Sequence, residues 1–224
     1  MFIGHFAVGF AAKRAAPSVS LGTLFVACEL VDLIWPVFLL AGIERVRIDP
    51  GNTAFTPLDF ISYPWTHSLL LTAAWAVLFG LLYLSIRKDA RGAIVVGVVV
   101  LSHWFLDLLA HRPDLPLVPG GAVYGLGLWN SVPATLIVEG LLFAAGLAVY
   151  LRSTRAKDRA GAIGLWALVV VLIASYLGAA FGPLPPSVEA IAWTGLAGGL
   201  MTGVWGYWLD GHRESVRRHR ESVR

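Results

Sequence analysis

His103 and Asp107 lie at i and i+4 within one apolar stretch, Ser102-His103-Trp104-Phe105-Leu106-Asp107, and His111 follows at the same interval. On a helix that spacing aligns the three side chains along one face. An imidazole and a carboxylate so placed are suitable ligands for a single divalent ion. The plain alternative is a histidine hydrogen-bonded to an aspartate inside a polar bundle interior. Groups of the same chemistry recur in other apolar stretches: His5 near the start, Glu29 and Asp32 together, Thr66-His67-Ser68, and Glu139. An aspartate at the centre of a membrane helix costs about 2.5–3.5 kcal/mol on insertion scales, so a chain that keeps several needs a compensating partner or a use for them. Metal binding would supply both.

The elements that must carry these residues are apolar helices. The chain has 224 residues, 57% of them hydrophobic and 14% charged, with nine Trp. These values exclude a disordered protein and point to a polytopic membrane protein. Six stretches of about 20 residues, each long enough to cross ~30 Å of hydrocarbon, run over 19–43, 64–86, 92–110, 131–151, 161–182 and 188–209. Met1 to Ala12 is apolar but too brief to span, and Lys13 and Arg14 follow it, the wrong flank for a secretory signal. The expected fold is therefore all-α: a bundle of six transmembrane helices plus a short N-terminal half-membrane or interfacial helix. Residues 1–210 form one membrane domain and residues 211–224 a solvated basic tail, with His212-Arg-Glu-Ser-Val-Arg repeated from His219.

Of the 17 Lys and Arg, all but Arg45, Arg47 and Arg112 fall on one side of this layout, which predicts cytoplasmic termini. Anchoring to anionic lipid accounts for the net charge of +3 without a nucleic acid. Cys28 is the single cysteine, so no internal disulfide can form. Two outer connections, 44–63 and 112–130, are rich in turn residues and aromatics and are expected to fold over the outer mouth of the bundle. Pro36 is expected to kink the first span beyond Asp32. Gly195, Gly199 and Gly203 offer a small-residue stripe, for packing within the monomer or, less readily, between copies.

Depth supports a shared site. At 1.5 Å per residue Asp32 lies roughly 18 Å from the cytoplasmic end of its span. His103 comes out at nearly the same level, and Glu139 falls in the same outer half. His67 is expected to be shallow if its helix starts at Pro64, and His5 approaches from the cytoplasmic side, so these two match the cluster poorly on arithmetic alone. Ser68 is read as a supporting hydrogen-bonder rather than a nucleophile, because no separate base stands beside it.

The elements Gly4-His5-Phe6-Ala7, Val31-Asp32, Trp65-Thr66-His67-Ser68-Leu69, and Ser102-His103 with Asp107 resemble, in order and spacing, the YdjM-like family of bacterial inner-membrane proteins, described as metal-dependent hydrolases. The resemblance covers roughly the first half of the chain. It implies that His5, Asp32, His67, His103 and Asp107 are metal ligands or their close neighbours. It also implies residence in the bacterial cytoplasmic membrane. The chain departs from the family pattern in having one Asp at position 32 rather than a close pair, and Ser62-Tyr63-Pro64 where a His-Arg pair is usual. Glu29 or Glu139 could supply a missing group.

The resulting expectation is a membrane-embedded hydrolase acting on a lipid or lipid-linked ester or phosphoester, with a divalent metal, zinc ahead of manganese, and with Asp32 or Glu139 as general base. A proton- or cation-coupled transporter using the same groups is the alternative, and a non-catalytic protein with a buried polar network is a third. The partners implied are the bilayer and a lipid-like substrate. Substrate identity and oligomeric state are not legible.

Overall fold

A computed structural model describes residues 1–216 of the chain. It is an all-α bundle with three two-stranded ladders at its ends. The helices are α1 (Ile3–Ala15), α2 (Leu21–Cys28), α3 (Leu30–Leu40), α4 (Pro64–His67), α5 (Leu69–Arg87), α6 (Ala90–Ala110), α7 (Val132–Ser153), α8 (Arg159–Phe181) and α9 (Val188–His212). Ser or Asp caps most of the long ones: the side chains of Ser68, Asp89, Ser131, Asp158 and Ser187 accept first-turn backbone N–H groups of α5, α6, α7, α8 and α9.

Helices α5, α6, α7 and α8 are each long and apolar enough to cross a membrane, and the pair α2–α3 makes a fifth if counted as one broken span. The sixth expected span, α9, has the length at 25 residues, but its Gly, Thr and Trp content leaves it less apolar than the others. The first span bends by 53°, and the break falls at Glu29, earlier than the expected kink at Pro36. Glu29 takes φ −103° and ψ 7°, outside the helical well, whereas Pro36 stays inside α3 and meets Gly195 of α9.

The short α1 lies inside the bundle rather than along its surface. It packs along α7, where Gly146 sits directly on the backbone of Ala7, and Gly9 lets Phe25 and Cys28 of α2 approach from the other side. Phe10 is fully buried among Phe25, Phe143 and Tyr150. The glycine stripe of α9 serves the monomer: Gly199 meets Leu33 and Gly203 meets Val26, so α9 docks closely on α2 and α3.

The long connections 44–63 and 112–130 both fold over one end of the bundle. β1 (Arg45–Ile48) pairs antiparallel with β2 (Leu58–Ser62), and β3 (Leu115–Pro116) with β4 (Val123–Tyr124). A hydrogen bond from Phe55 N–H to the Trp129 carbonyl at 3.0 Å ties the two connections together. At the opposite end, β5 (Thr154–Ala156) pairs with β6 (Arg213–Ser215), which corrects the expectation of a wholly solvated tail. Arg213 is only 7% exposed, donates to Thr154 Oγ1 and the Gly161 carbonyl, and lies over the Tyr150 ring. The second copy of the tail repeat lies outside the described residues.

Candidate metal centre

Five side chains from four helices converge. His5 comes from α1, Asp32 from α3, His67 from α4, and His103 and Asp107 from α6. Asp107 is the hub. Its Oδ1 is 3.1 Å from His5 Nε2, and its Oδ2 is 3.1 Å from His103 Nε2 and 3.8 Å from His67 Nε2. Asp32 closes the ring, with Oδ1 3.1 Å from His67 Nε2 and Oδ2 3.7 Å from His103 Nε2. The Met1 amino group also donates to Asp107 Oδ1. Two triads, His5–His103–Asp107 and Asp32–His67–His103, each bring their donor atoms within 4.8 Å of one another, so these buried groups could hold a metal ion.

Local structure explains how the two poorly matched histidines arrive. The chain does not enter a single helix at Pro64. α4 ends at His67, Ser68 takes extended dihedrals (φ −75°, ψ 145°), and α5 begins anew with Ser68 as its cap. That break inserts His67 below the outer connections, and it makes Ser68 a capping residue. His5 arrives because α1 runs inside the bundle, 1% exposed.

Protonation is set by what the other ring nitrogens touch. His103 Nδ1 is 2.8 Å from the Cys28 carbonyl, which can only accept, so Nδ1 carries a proton and Nε2 is the nitrogen that offers a lone pair in the neutral ring. His103 Nε2 is buried and makes no hydrogen bond, although two carboxylate oxygens lie within 4 Å. His5 is less well supported, since its Nδ1 is buried without a partner and its ring stacks on His103 at 3.6 Å between centroids.

Glu139 is not in this ring. Its Oε2 accepts the backbone N–H groups of Phe2 and Gly4 at 2.8 and 3.2 Å, which satisfies orphan donors at the start of α1. Two backbone amides on one oxygen make Glu139 a residue that positions α1, while its Oε1 is buried without a hydrogen-bond partner. Glu29 sits at the break between α2 and α3, outside both triads.

Two groups flank the ring, one built on Glu44, which gave no sequence signal, and one on His111, which did. Glu44, 1% exposed, accepts both the backbone N–H and the hydroxyl of Thr66, and Thr66 Oγ1 is 2.7 Å from His67 Nδ1. Toward the connections His111 Nε2 is 3.9 Å from Asp107 Oδ2, while its Nδ1 lies 3.0 Å from Asp114 Oδ1, to which the Tyr63 hydroxyl also donates. Arg112 bridges Asp114 and Asp59. Burial raises the Asp114 carboxyl, but the bonds from His111, Tyr63 and Arg112 outweigh it and hold the group below the usual aspartate range. Phe60, Tyr63 and Trp129 pack around the His111 ring and roof the site. A groove of about 610 Å³ between α8 and α9, lined by Leu200, Met201, Val204 and Trp208 among others, offers almost no polar surface and includes none of these residues.

Comparison with protein-family models, with curated proteins and with solved structures gave no match to this chain.

Proposed function

We propose that the chain is a membrane-embedded, metal-dependent hydrolase of lipid-like esters or phosphoesters, and that His67, His103, Asp32 and Asp107 hold one divalent ion, with His5 beside them. The observation that carries this reading is His103 Nε2, buried, without a hydrogen bond, and facing carboxylate oxygens of Asp107 and Asp32. Lone pairs converging in a low-dielectric interior repel one another unless a cation lies among them. Because His103 Nδ1 is committed to the Cys28 carbonyl, one nitrogen serves both triads, which favours one shared ion over two. Mixed imidazole and carboxylate donors suit zinc ahead of manganese.

A zinc ion there would polarise the scissile oxygen and lower the pKa of bound water to about 7. The protein's own residues fix the geometry. Asp107 and His103 are clamped on one face of α6, and α1 and α4 close over them. Asp32 is the open member of the ring, its side chain 34% exposed against 4% or less for the other four. The aromatic roof covers the outer mouth, so substrate reaches the ring past Asp32. That side of an apolar bundle suits a molecule with a lipid tail. Asp32 is also the carboxylate best placed to take a proton from attacking water.

The distribution of Lys and Arg supports cytoplasmic termini, and the motif resemblance supports the bacterial cytoplasmic membrane. Reporter fusions after Arg159 and Gly120 should read cytoplasmic and external respectively. The hydrolase reading is tested by turnover of a lipid-like ester and phosphoester panel by purified protein. Chelator should abolish turnover, and zinc or manganese should restore it. Gradient-dependent flux in sealed vesicles without turnover of any ester would replace this reading with a transporter.

A further inference from the structure

Thr66 and Glu44 touch no member of the ring except His67, yet their hydrogen bonds bear on which of its nitrogens holds a proton. Glu44 is 1% exposed, and as a carboxylate it has only acceptors to offer. Its Oε1 accepts the Thr66 backbone N–H at 2.9 Å, and its Oε2 accepts the Thr66 hydroxyl at 2.7 Å. A hydroxyl has one proton, and here Glu44 takes it. The 2.7 Å contact between Thr66 Oγ1 and His67 Nδ1 therefore has one consistent assignment: the ring N–H donates and the hydroxyl oxygen accepts. In the neutral ring His67 Nε2 is then the lone pair, 3.1 Å from Asp32 Oδ1, and any further proton on the ring sits there, between Nε2 and that carboxylate, as the one a cation would displace.

That outcome is not the default for this imidazole. Asp32 is a carboxylate facing Nε2, and on its own it would draw the ring proton to that side, where the proton would block a ligand position. We infer that Glu44 and Thr66 are positioning residues that hold His67 in its Nδ1–H form and so keep Nε2 free to bind the cation. The inference rests on the metal reading for its purpose, but the tautomer is a property of the metal-free chain and is measured separately.

Glu44→Gln tests it at nearly constant shape. The Gln carbonyl would accept the Thr66 backbone N–H, and its NH2 would then face Thr66 Oγ1 and donate. The threonine proton would turn toward His67 Nδ1, and the ring proton would move to Nε2. The experiment is ring nitrogen NMR on metal-free protein labelled at histidine, with zinc affinity measured against a competing chelator. Wild type should show His67 protonated at Nδ1, and Glu44→Gln should show it protonated at Nε2, with zinc affinity down about 10- to 100-fold. Thr66→Val should weaken zinc binding similarly, and Thr66→Ser, which keeps the hydroxyl, should restore it. The Thr66 pair also stands if Glu44→Gln does not fold. Protonation of wild-type His67 at Nε2 without a proton at Nδ1 would overturn the inference, as would unchanged zinc affinity in Thr66→Val. A wild-type chain that shows the Nδ1–H form but takes up no zinc would instead defeat the metal reading alone.

Discussion

Replacing Gly146 by alanine tests whether the internal position of α1 depends on a close helix crossing. A Cβ at Gly146 would lie 2.2 Å from the Ala7 carbonyl oxygen, 2.6 Å from its Cα and 2.7 Å from its carbonyl carbon. Carbon atoms in contact prefer about 3.5–4.0 Å, so α1 must retreat by roughly 1 Å. All three neighbours are backbone, so no rotamer change relieves the clash. Overpacking of this kind costs about 1–3 kcal/mol. His5 rides on α1, 3.1 Å from Asp107, and would move with it. Gly140 on the same helix is the control, because a Cβ there meets nothing within 4 Å and alanine should gain up to about 1 kcal/mol of helix propensity. Thermal unfolding in detergent reads the difference at about 2–4 °C per kcal/mol for a chain of this size. The Gly146 variant should melt several degrees below wild type and bind zinc more weakly, while the Gly140 variant does neither. Equal stability and metal binding in the two variants would refute the crossing as drawn.

Three further outcomes are expected. Glu139→Leu leaves the Phe2 and Gly4 amides without an acceptor at about 1–3 kcal/mol for a buried group, so it should destabilise the fold, whereas Glu139→Gln, which keeps an acceptor oxygen, should retain metal and turnover; loss of turnover with intact metal in Glu139→Gln would restore it as a base. Asp158 is held below the ordinary aspartate range by hydrogen bonds from the His212 side chain and the Gly161 backbone N–H. A lowered folded-state pKa contributes stability that is present above the ordinary value near 4 and is lost as pH falls through the lowered one; hydrogen exchange at Thr154–Ala156 should therefore accelerate only in acid, and His212→Ala should bring that acceleration to higher pH. Asp32→Asn should reduce turnover more than it perturbs folding, because Asp32 is the open member of the ring; turnover equal to wild type would remove Asp32 from the chemistry.

Much of the bundle was legible in the sequence because apolar length is a direct demand of the bilayer. The boundaries of the long helices fall within a few residues of the apolar stretches. The i and i+4 relation of His103 and Asp107 carried over directly, since one helix fixes both residues. Depth arithmetic failed for His5 and His67 because it assumed unbroken helices. The break at Ser68 and the internal course of α1 are set by tertiary packing, through contacts such as Gly146 on Ala7. Glu44 was invisible for a related reason: a single carboxylate at the end of an apolar stretch reads as a surface charge, and only the fold of α4 brings Thr66 back onto it. Proline is the familiar cause of kinks, so the sequence points to Pro36 rather than Glu29. Here the chain leaves the helical well at Glu29, and Pro36 is absorbed where α3 packs on α9.

Metal analysis of detergent-purified protein tests the central claim most directly. The account predicts about one equivalent of zinc or manganese per wild-type chain, lost in His103→Ala and in Asp107→Asn but retained in His212→Ala, whose side chain contacts Asp158 at the far end of the bundle. Folded wild-type protein free of transition metal, prepared under conditions that preserve sites of ordinary zinc affinity, would contradict it.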